Sequence, residues 1–282
     1  ALMKEGQSLD YITTRVLVEV GEVLGEVKPF FTIVHGDTTT TMAASLAAFY
    51  RRSRIGHVEA GLRSGNVNLP FPEELNRIIA DRVAGWWFAP TEGARDNLLR
   101  EGRDPSRVVK TGNTVIDALL LATEKVSTPS YEPLSSIPPS APVMLLTAHR
   151  RESWGEPLKG ICSAVAGLIA ENPDLWAIVP MHRNPEVRRV FREILSQEER
   201  VILCEPLDYP DFIWSMKRSD LILTDSGGIQ EETTILGTPT LVMRELTERP
   251  EAIEFGTSLL VGTDPDRILA SARRVLMGNR EG

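Results

Sequence analysis

Histidines and carboxylates follow directly on short apolar runs along this chain. His35-Gly36-Asp37 follows Phe31-Thr32-Ile33-Val34, Glu59 follows Ile55-Gly56-His57-Val58, and His149-Arg150-Arg151-Glu152 follows the run 143–147. His182 comes after the run 176–179, and Arg244 and Arg249 come after 240–243. Imidazoles beside carboxylates are the groups general acid–base chemistry needs. The run Leu221-Ile222-Leu223-Thr224 breaks at Asp225-Ser226-Gly227-Gly228, and a short helix is expected from Ile229 to just before Gly237 and Pro239. Strand, Gly turn and helix start together make an anion site, because free N–H groups and the positive end of the helix dipole converge there. Two glycines let a phosphate approach the backbone with no Cβ in the way. Ser226 adds a hydroxyl donor, and Glu232, about one turn further in, can accept from ribose hydroxyls. The chemistry suggested is acid–base work on a nucleotide.

Each of these residues also has a plainer reading. A Gly-Gly turn can merely join a strand to a helix. Asp37 before Thr38 suits a helix N-cap, and Glu73 and Glu74 after Pro72 suit the first turn of a helix. His149-Arg150-Arg151 can be a solvated basic turn, and Arg249 can cap a surface loop. Position is what favours the chemical reading. Ligands of open α/β sheets bind at the carboxyl ends of the strands, and three of the four histidines stand there; His57 alone lies inside its run.

The elements that must hold these residues follow from the periodicity. Ser8 caps a predicted helix over 9–23, and strands are expected at 31–34, 55–58, 86–89 and 107–110. Helices are expected at 38–50, 73–83, from Thr91 to Gly102, and from Thr111-Gly112-Asn113 to about 124. Four β–α repeats imply parallel strands covered by helices. Residues 127–142 hold five prolines and five serines, which cannot sustain a helix or a central strand, so the segment reads as a linker. Strands are then expected at 143–147, 176–179, 201–203, 221–224, 240–243 and 258–261, and Pro265 starts a last helix. The expected fold is α/β, with an N-terminal Rossmann-like domain over 1–126, a linker over 127–142 and a C-terminal Rossmann-like domain over 143–282. The two would meet in a cleft with a nucleotide on one side. The first domain has no opening Gly-rich strand–turn–helix, and the chain begins at Ala1, so that domain is expected to lack its first strand or strands.

Composition fits two such cores. The chain has 282 residues, 42% of them hydrophobic. A net charge of −8 and a pI near 5.2 argue against nucleic acid and anionic membrane as partners. No apolar run is long enough for a membrane span, and no export signal is present. Cys162 and Cys204 sit among apolar residues and read as buried thiols in a reducing cytoplasm. The four histidines lack ligand spacing, so neither a metal nor another cofactor is expected.

Several strings are specific when taken together. They are His-Gly-Asp-Thr-Thr-Thr-Thr (35–41), His-Val-Glu-Ala-Gly-Leu-Arg (57–63), Pro-Glu-Glu-Leu-Asn-Arg (72–77), Thr-Gly-Asn-Thr-Val-Ile-Asp (111–117), His-Arg-Arg-Glu (149–152), Asp-Ser-Gly-Gly-Ile-Gln-Glu-Glu (225–232) and Thr-Glu-Arg-Pro-Glu-Ala (247–252). In this order the chain resembles the non-hydrolysing UDP-N-acetylglucosamine 2-epimerases. The resemblance implies two Rossmann-type domains of the GT-B kind and a cytoplasmic homodimer. The implied reaction is elimination of UDP to 2-acetamidoglucal and re-addition, giving UDP-N-acetylmannosamine for cell-envelope polysaccharide.

By motif position, Asp37, Glu59, Glu73 and His149 are the implied catalytic residues. Ser226, Gly227 and Gly228 would hold phosphate, Glu232 the ribose, Arg249 would add positive charge, and Phe212 would lie near uracil. Glu73, Arg150 and His182 match positions that contact a second, activating UDP-N-acetylglucosamine in some members. The family's opening Gly-Thr-Arg-Pro-Glu segment and closing Tyr-Gly-Asp-Gly stretch are absent, so the chain as written is expected to be inactive or barely active. A hydrolysing relative, a GT-B glycosyltransferase and a non-catalytic UDP-sugar-binding module remain as alternatives.

Overall fold

Strand and helix alternate from end to end, and every pairing between the named strands is parallel. The computed structural model describes residues 7–150, 153–247, 253–254 and 256–278. The chain divides into two compact units, Ala1–Thr114 and Val115–Gly282.

The first unit runs α1 (Leu9–Val27), β1 (Phe31–His35), α2 (Thr39–Tyr50), β2 (Arg54–Val58), α3 (Glu73–Val83), β3 (Trp86–Ala89), α4 (Glu92–Arg100) and β4 (Val108–Lys110). Its four strands lie in the order β1-β2-β3-β4, as expected when each crossover returns to the neighbouring position. Hydroxyl caps start three of the helices: Ser8, Thr38 and Thr91 accept from the N–H groups of Tyr11, Thr41 and Ala94 at 3.2, 3.2 and 3.1 Å. Val34, Ala47, Ile55, Trp87 and Leu98 fill the core between sheet and helices. Thr38, not Asp37, is therefore the cap of α2, and the Asp37 carboxylate is left for another partner.

The second unit contains α5 (Thr114–Thr123), β5 (Val143–Thr147), α6 (Glu156–Glu171), β6 (Trp176–Pro180), α7 (Pro185–Leu195), β7 (Val201–Cys204), α8 (Tyr209–Arg218), β8 (Leu221–Thr224), α9 (Gly227–Leu236), β9 (Thr240–Val242), β10 (Ser258–Leu260) and α10 (Pro265–Gly278). Its six strands lie in the order β10-β9-β8-β5-β6-β7. β5 and β8 are buried along their whole length, which is why both read as unbroken apolar runs. Leu146, Leu168, Val179 and Phe191 pack on one face of the sheet. Leu145, Ile178, Ile213 and Ile222 pack on the other. Cys162 and Cys204 are buried free thiols, both pushed up to about 12 by burial.

Three expectations need correcting. The division falls at 114/115 rather than 126/127, because Leu119 of α5 is buried in the second unit's core. Residues 127–142 are not a free linker. Leu134, Ile137 and Ala141 are buried with Leu119, Ser130 and Tyr131 donate backbone N–H to Asp211, and Arg218 donates to the carbonyls of Pro138 and Pro139. Proline content excluded a long helix there, but apolar residues spaced between the prolines still anchor the segment. Finally, α9 opens at Gly227 with Ser226 as its cap residue, two residues before Ile229. Glycine is a poor helix former, yet the first turn has no upstream hydrogen bonds to lose.

Candidate active site

Asp37 and Glu59 stand at the carboxyl ends of adjacent strands, β1 and β2, and Glu73 is the first residue of α3. The Asp37 carboxylate meets Arg77, whose guanidinium is buried at 1% exposure and whose other arm lies 3.2 Å from Glu74. Asn76 donates to the Asp37 carbonyl at 2.9 Å, so α3 grips this residue with two side chains. Glu74, also 1% exposed, accepts from the N–H groups of Ser64 and Gly65 and ties down the loop before α3.

Glu59 sits in the left-handed backbone region at φ 67°, which costs a side-chain-bearing residue about 1 kcal/mol or more. Pairing on both sides over-determines it: Gly36 N–H donates to Val58 O at 3.0 Å and Ala60 N–H to Phe88 O at 3.1 Å. Its carboxylate lies 3.8 Å from His35 Nε2 and 3.5 Å from the Asn113 amide. A Cβ on Gly36 would stand 3.1 Å from Glu59 Oε2, so this carboxylate lies against the turn that carries Asp37.

In the second unit, Asp225 organises the ends of β5 and β8. It is fully buried and accepts from the N–H groups of His149 and Arg150, each at 2.9 Å, and from Ser153 Oγ at 2.9 Å. His149 Nδ1 lies 3.1 Å from the same carboxylate. Burial alone would raise the Asp225 pKa, but these hydrogen bonds and the His149 charge outweigh it and hold the group below the usual carboxylate range. The His149 ring stacks on His182 at 6.2 Å between centroids, with the planes 30° apart. Burial and the His149 neighbour push the His182 ring below its ordinary pKa.

Ser226, Gly227 and Gly228 form the start of α9, next in the chain to Asp225. The Ser226 side chain makes no cap hydrogen bond, and a Cβ on Gly228 would meet nothing within 4 Å. That glycine faces open space rather than a packed neighbour. Glu232 is 6% exposed and raised to about 7, first by burial and then by the charge of Glu231. Its charge in turn raises the pKa of Tyr209, though burial contributes more to that shift. Phe212 is partly buried against the core on the same helix as Tyr209. Arg249 lies outside the described residues, as do Arg151 and Glu152; Arg244 is 3% exposed.

Site residues that sequence reasoning left without a role are Arg77, Asp81, Tyr209 and Asp225. Arg77 and Asp225 stood inside the quoted strings, but their partners are 40 and 76 residues away in the chain. A cleft of about 710 Å³ lined by Pro142, Trp176, Arg218 and Asp220 lies at the amino ends of the second sheet's strands, away from these groups. Among the described residues no cluster of three His, Cys, Asp or Glu could hold a metal ion, and no helix is long and apolar enough to cross a membrane.

The family model described as UDP-N-acetylglucosamine 2-epimerase matches residues 1–281. A curated UDP-N-acetylglucosamine 2-epimerase of Salmonella typhimurium is 48% identical, over 99% of this chain and 76% of the relative. The crystal structure of the Neisseria meningitidis UDP-GlcNAc 2-epimerase bound to UDP-GlcNAc superposes with a TM-score of 0.93 at 44% identity, over 98% of this chain and 76% of that one. The S. aureus MnaA–UDP co-structure gives 0.91 at 43% identity, over 97% and 73%. Matched by the family's model over residues 1–281 and 48% identical to a curated member over 99% of its own length, the chain belongs to the UDP-N-acetylglucosamine 2-epimerase family.

Proposed function

We propose that this protein interconverts UDP-N-acetylglucosamine and UDP-N-acetylmannosamine without hydrolysing either. A carboxylate takes the C2 hydrogen as a proton, the C–H electron pair becomes the C1=C2 bond, and the C1–O bond breaks to release UDP. UDP oxygen then re-forms the bond to C1 while a proton is delivered to the opposite face of C2. No water is consumed and no redox partner is needed.

The single observation that carries this reading is the set of first-unit carboxylates, Asp37 and Glu59 at the ends of adjacent strands and Glu73 at the start of α3. Proton removal and return on two faces needs more than one acid–base group. The open helix start at Ser226–Gly228 suits the diphosphate, with His149 beside it to stabilise departing charge or move a proton. Glu232 and Phe212 are the proposed ribose and uracil contacts, and Arg249 the added cation. Glu73, Arg150 and His182 are the proposed contacts of an activating second nucleotide sugar. A cytoplasmic homodimer with no bound cofactor belongs to the same reading.

Incubation with UDP-N-acetylglucosamine in D₂O, followed by ¹H NMR, tests it. The expected result is UDP-N-acetylmannosamine carrying deuterium at C2, which would overturn the sequence-based expectation of an inactive chain. Release of UDP with free N-acetylmannosamine would assign the hydrolytic reaction instead. Binding of UDP with no turnover would leave only a nucleotide-sugar-binding protein.

A further inference from the structure

A buried charge cluster in the first unit is not used by the chemistry above. His57, 0% exposed, has Nδ1 2.6 Å from Asp81 Oδ1 and Nε2 2.8 Å from Gly36 O. Asp81, also 0% exposed, accepts from Gly61 N–H at 3.1 Å and faces Arg63 Nη1 at 2.8 Å through its second oxygen.

The proton count follows from these contacts. The Gly36 carbonyl can only accept, so Nε2 carries a hydrogen. One more proton lies between Nδ1 and Asp81. Asp81 already receives an N–H and a guanidinium, both of which favour its charged form. The proton therefore rests on the ring, and His57 is a buried imidazolium. Burial opposes that charge, but the Asp81 hydrogen bond and charge, the Gly36 carbonyl and the Glu59 charge together outweigh it and raise the ring's pKa. Asp81 is lowered for the matching reason: the His57 and Arg63 contacts outweigh its burial.

Stability does not account for such a trio, since burying paired charges gains little over apolar packing of the same volume. Its placement does. Gly36 precedes Asp37, Gly61 ends the turn that begins at Glu59, and Asp81 lies on α3, whose first residue is Glu73.

We propose that Asp81, through the His57 imidazolium on one side and the Gly61 N–H on the other, is a positioning residue that locks the Asp37 turn and the Glu59 turn onto α3, so that carboxylates from three separate segments keep one fixed spacing. The proposal rests on the epimerase reading above for its catalytic consequence, but not for the state of the ring. About one turn earlier on α3, Asn76 and Arg77 hold Asp37 directly. The Asp37 turn is thus fastened at two points of one helix, and the Glu59 turn at the second of them, Asp81.

Two measurements test it. In ¹⁵N-histidine-labelled intact protein at about pH 8, above the ordinary histidine range, the ring assigned through its loss in His57→Gln is expected to carry protons on both nitrogens. A singly protonated His57 ring overturns the proposal. In Asp81→Asn, which keeps the volume and removes the charge, kcat is expected to fall about 10²-fold, as for a misplaced catalytic group, while KM stays within about threefold. UDP affinity by calorimetry should not move. A folded Asp81→Asn protein with wild-type kcat, or one whose loss lies wholly in KM, overturns the positioning role. If that variant does not fold, the ring measurement on the unaltered protein decides. If the unaltered protein turns over no UDP-sugar, the functional reading fails while the ring measurement still stands.

Discussion

Among the described residues two histidine–aspartate pairs stand one in each unit, and they are built differently. In both, Nδ1 faces a fully buried carboxylate, at 2.6 Å for His57–Asp81 and 3.1 Å for His149–Asp225. Both carboxylates are held below their ordinary pKa by their donors. The second nitrogen makes the difference. His57 Nε2 is bonded to the Gly36 carbonyl and the ring is sealed, whereas the His149 side chain is 41% exposed. A carboxylate orients a histidine in either case. The histidine is available for proton transfer only where its other nitrogen reaches the surface.

The largest expected effect separates the two rings directly. His149→Gln should lower turnover by about 10²- to 10⁴-fold, the range for a removed acid–base or charge-stabilising group, with little change in melting temperature. His57→Gln should instead lower the melting temperature clearly, because an imidazolium bonded on both sides is lost. Steady-state kinetics and calorimetry on both variants check this. Equal thermal losses from the two substitutions would erase the distinction.

Next come the partners. Asp81→Ala leaves the buried His57 imidazolium and the Gly61 N–H without their carboxylate, while Arg63 keeps Glu101, and is expected to cost about 3–5 kcal/mol. Asp225→Ala orphans two backbone N–H groups and a serine hydroxyl near a half-exposed histidine, and about 2–4 kcal/mol is expected. Denaturant titration measures both. The pH dependence has a definite sign. The raised His57 pKa contributes stability that is complete below its ordinary 6.5 and is lost as pH rises through the folded value. The lowered Asp81 pKa contributes stability present above 3.8 and lost as pH falls through its folded value. The first pair should therefore stabilise fully between those limits, and His57→Gln should flatten the alkaline side.

Glu232 sharpens the contrast as a buried carboxylate shifted the other way. Burial and the Glu231 charge raise it to about 7 from an ordinary 4.5. Between those values the folded state holds a proton that the unfolded chain has released, so stability should fall as pH rises from 4.5 to 7. Glu232→Gln should remove that slope and be more stable above neutrality by roughly 3 kcal/mol. It should also weaken UDP binding, if Glu232 meets the ribose. Thermal melts across pH and UDP titration read the two effects separately.

Much of this was legible from spacing. Every strand of both sheets, the caps at Ser8 and Thr91, and the placing of Asp37, Glu59, His149 and Ser226 at strand ends follow from apolar runs and their punctuation. Long-range pairing was not legible. Asp81 sits within α3, and nothing local marks it as the partner of a histidine 24 residues earlier. Residues 127–142 show the same limit: proline content describes backbone freedom, while Leu134 and Ile137 settle where the segment packs. The plainer cap reading of Asp37 fails for a local reason, since Thr38 one residue later serves as the cap.

The smallest expected effect tests how far the first pair's frame extends. Gly61, whose N–H reaches Asp81, has φ 87°, and a Cβ there would stand 2.2 Å from the Ala94 carbonyl. Asn97 also donates to the Gly61 carbonyl at 2.9 Å. The first two turns of α4 therefore buttress the turn that Asp81 holds from the other side. Thr91→Ala removes the cap of that helix and should cost about 1 kcal/mol in global stability. If the frame is continuous, amide exchange at Gly61 should quicken in this variant while the His149 and Arg150 amides, held by Asp225, keep their protection. Unchanged exchange at Gly61 would confine the frame to His57, Asp81 and α3, and the Glu59 turn would then depend on its sheet bonds alone.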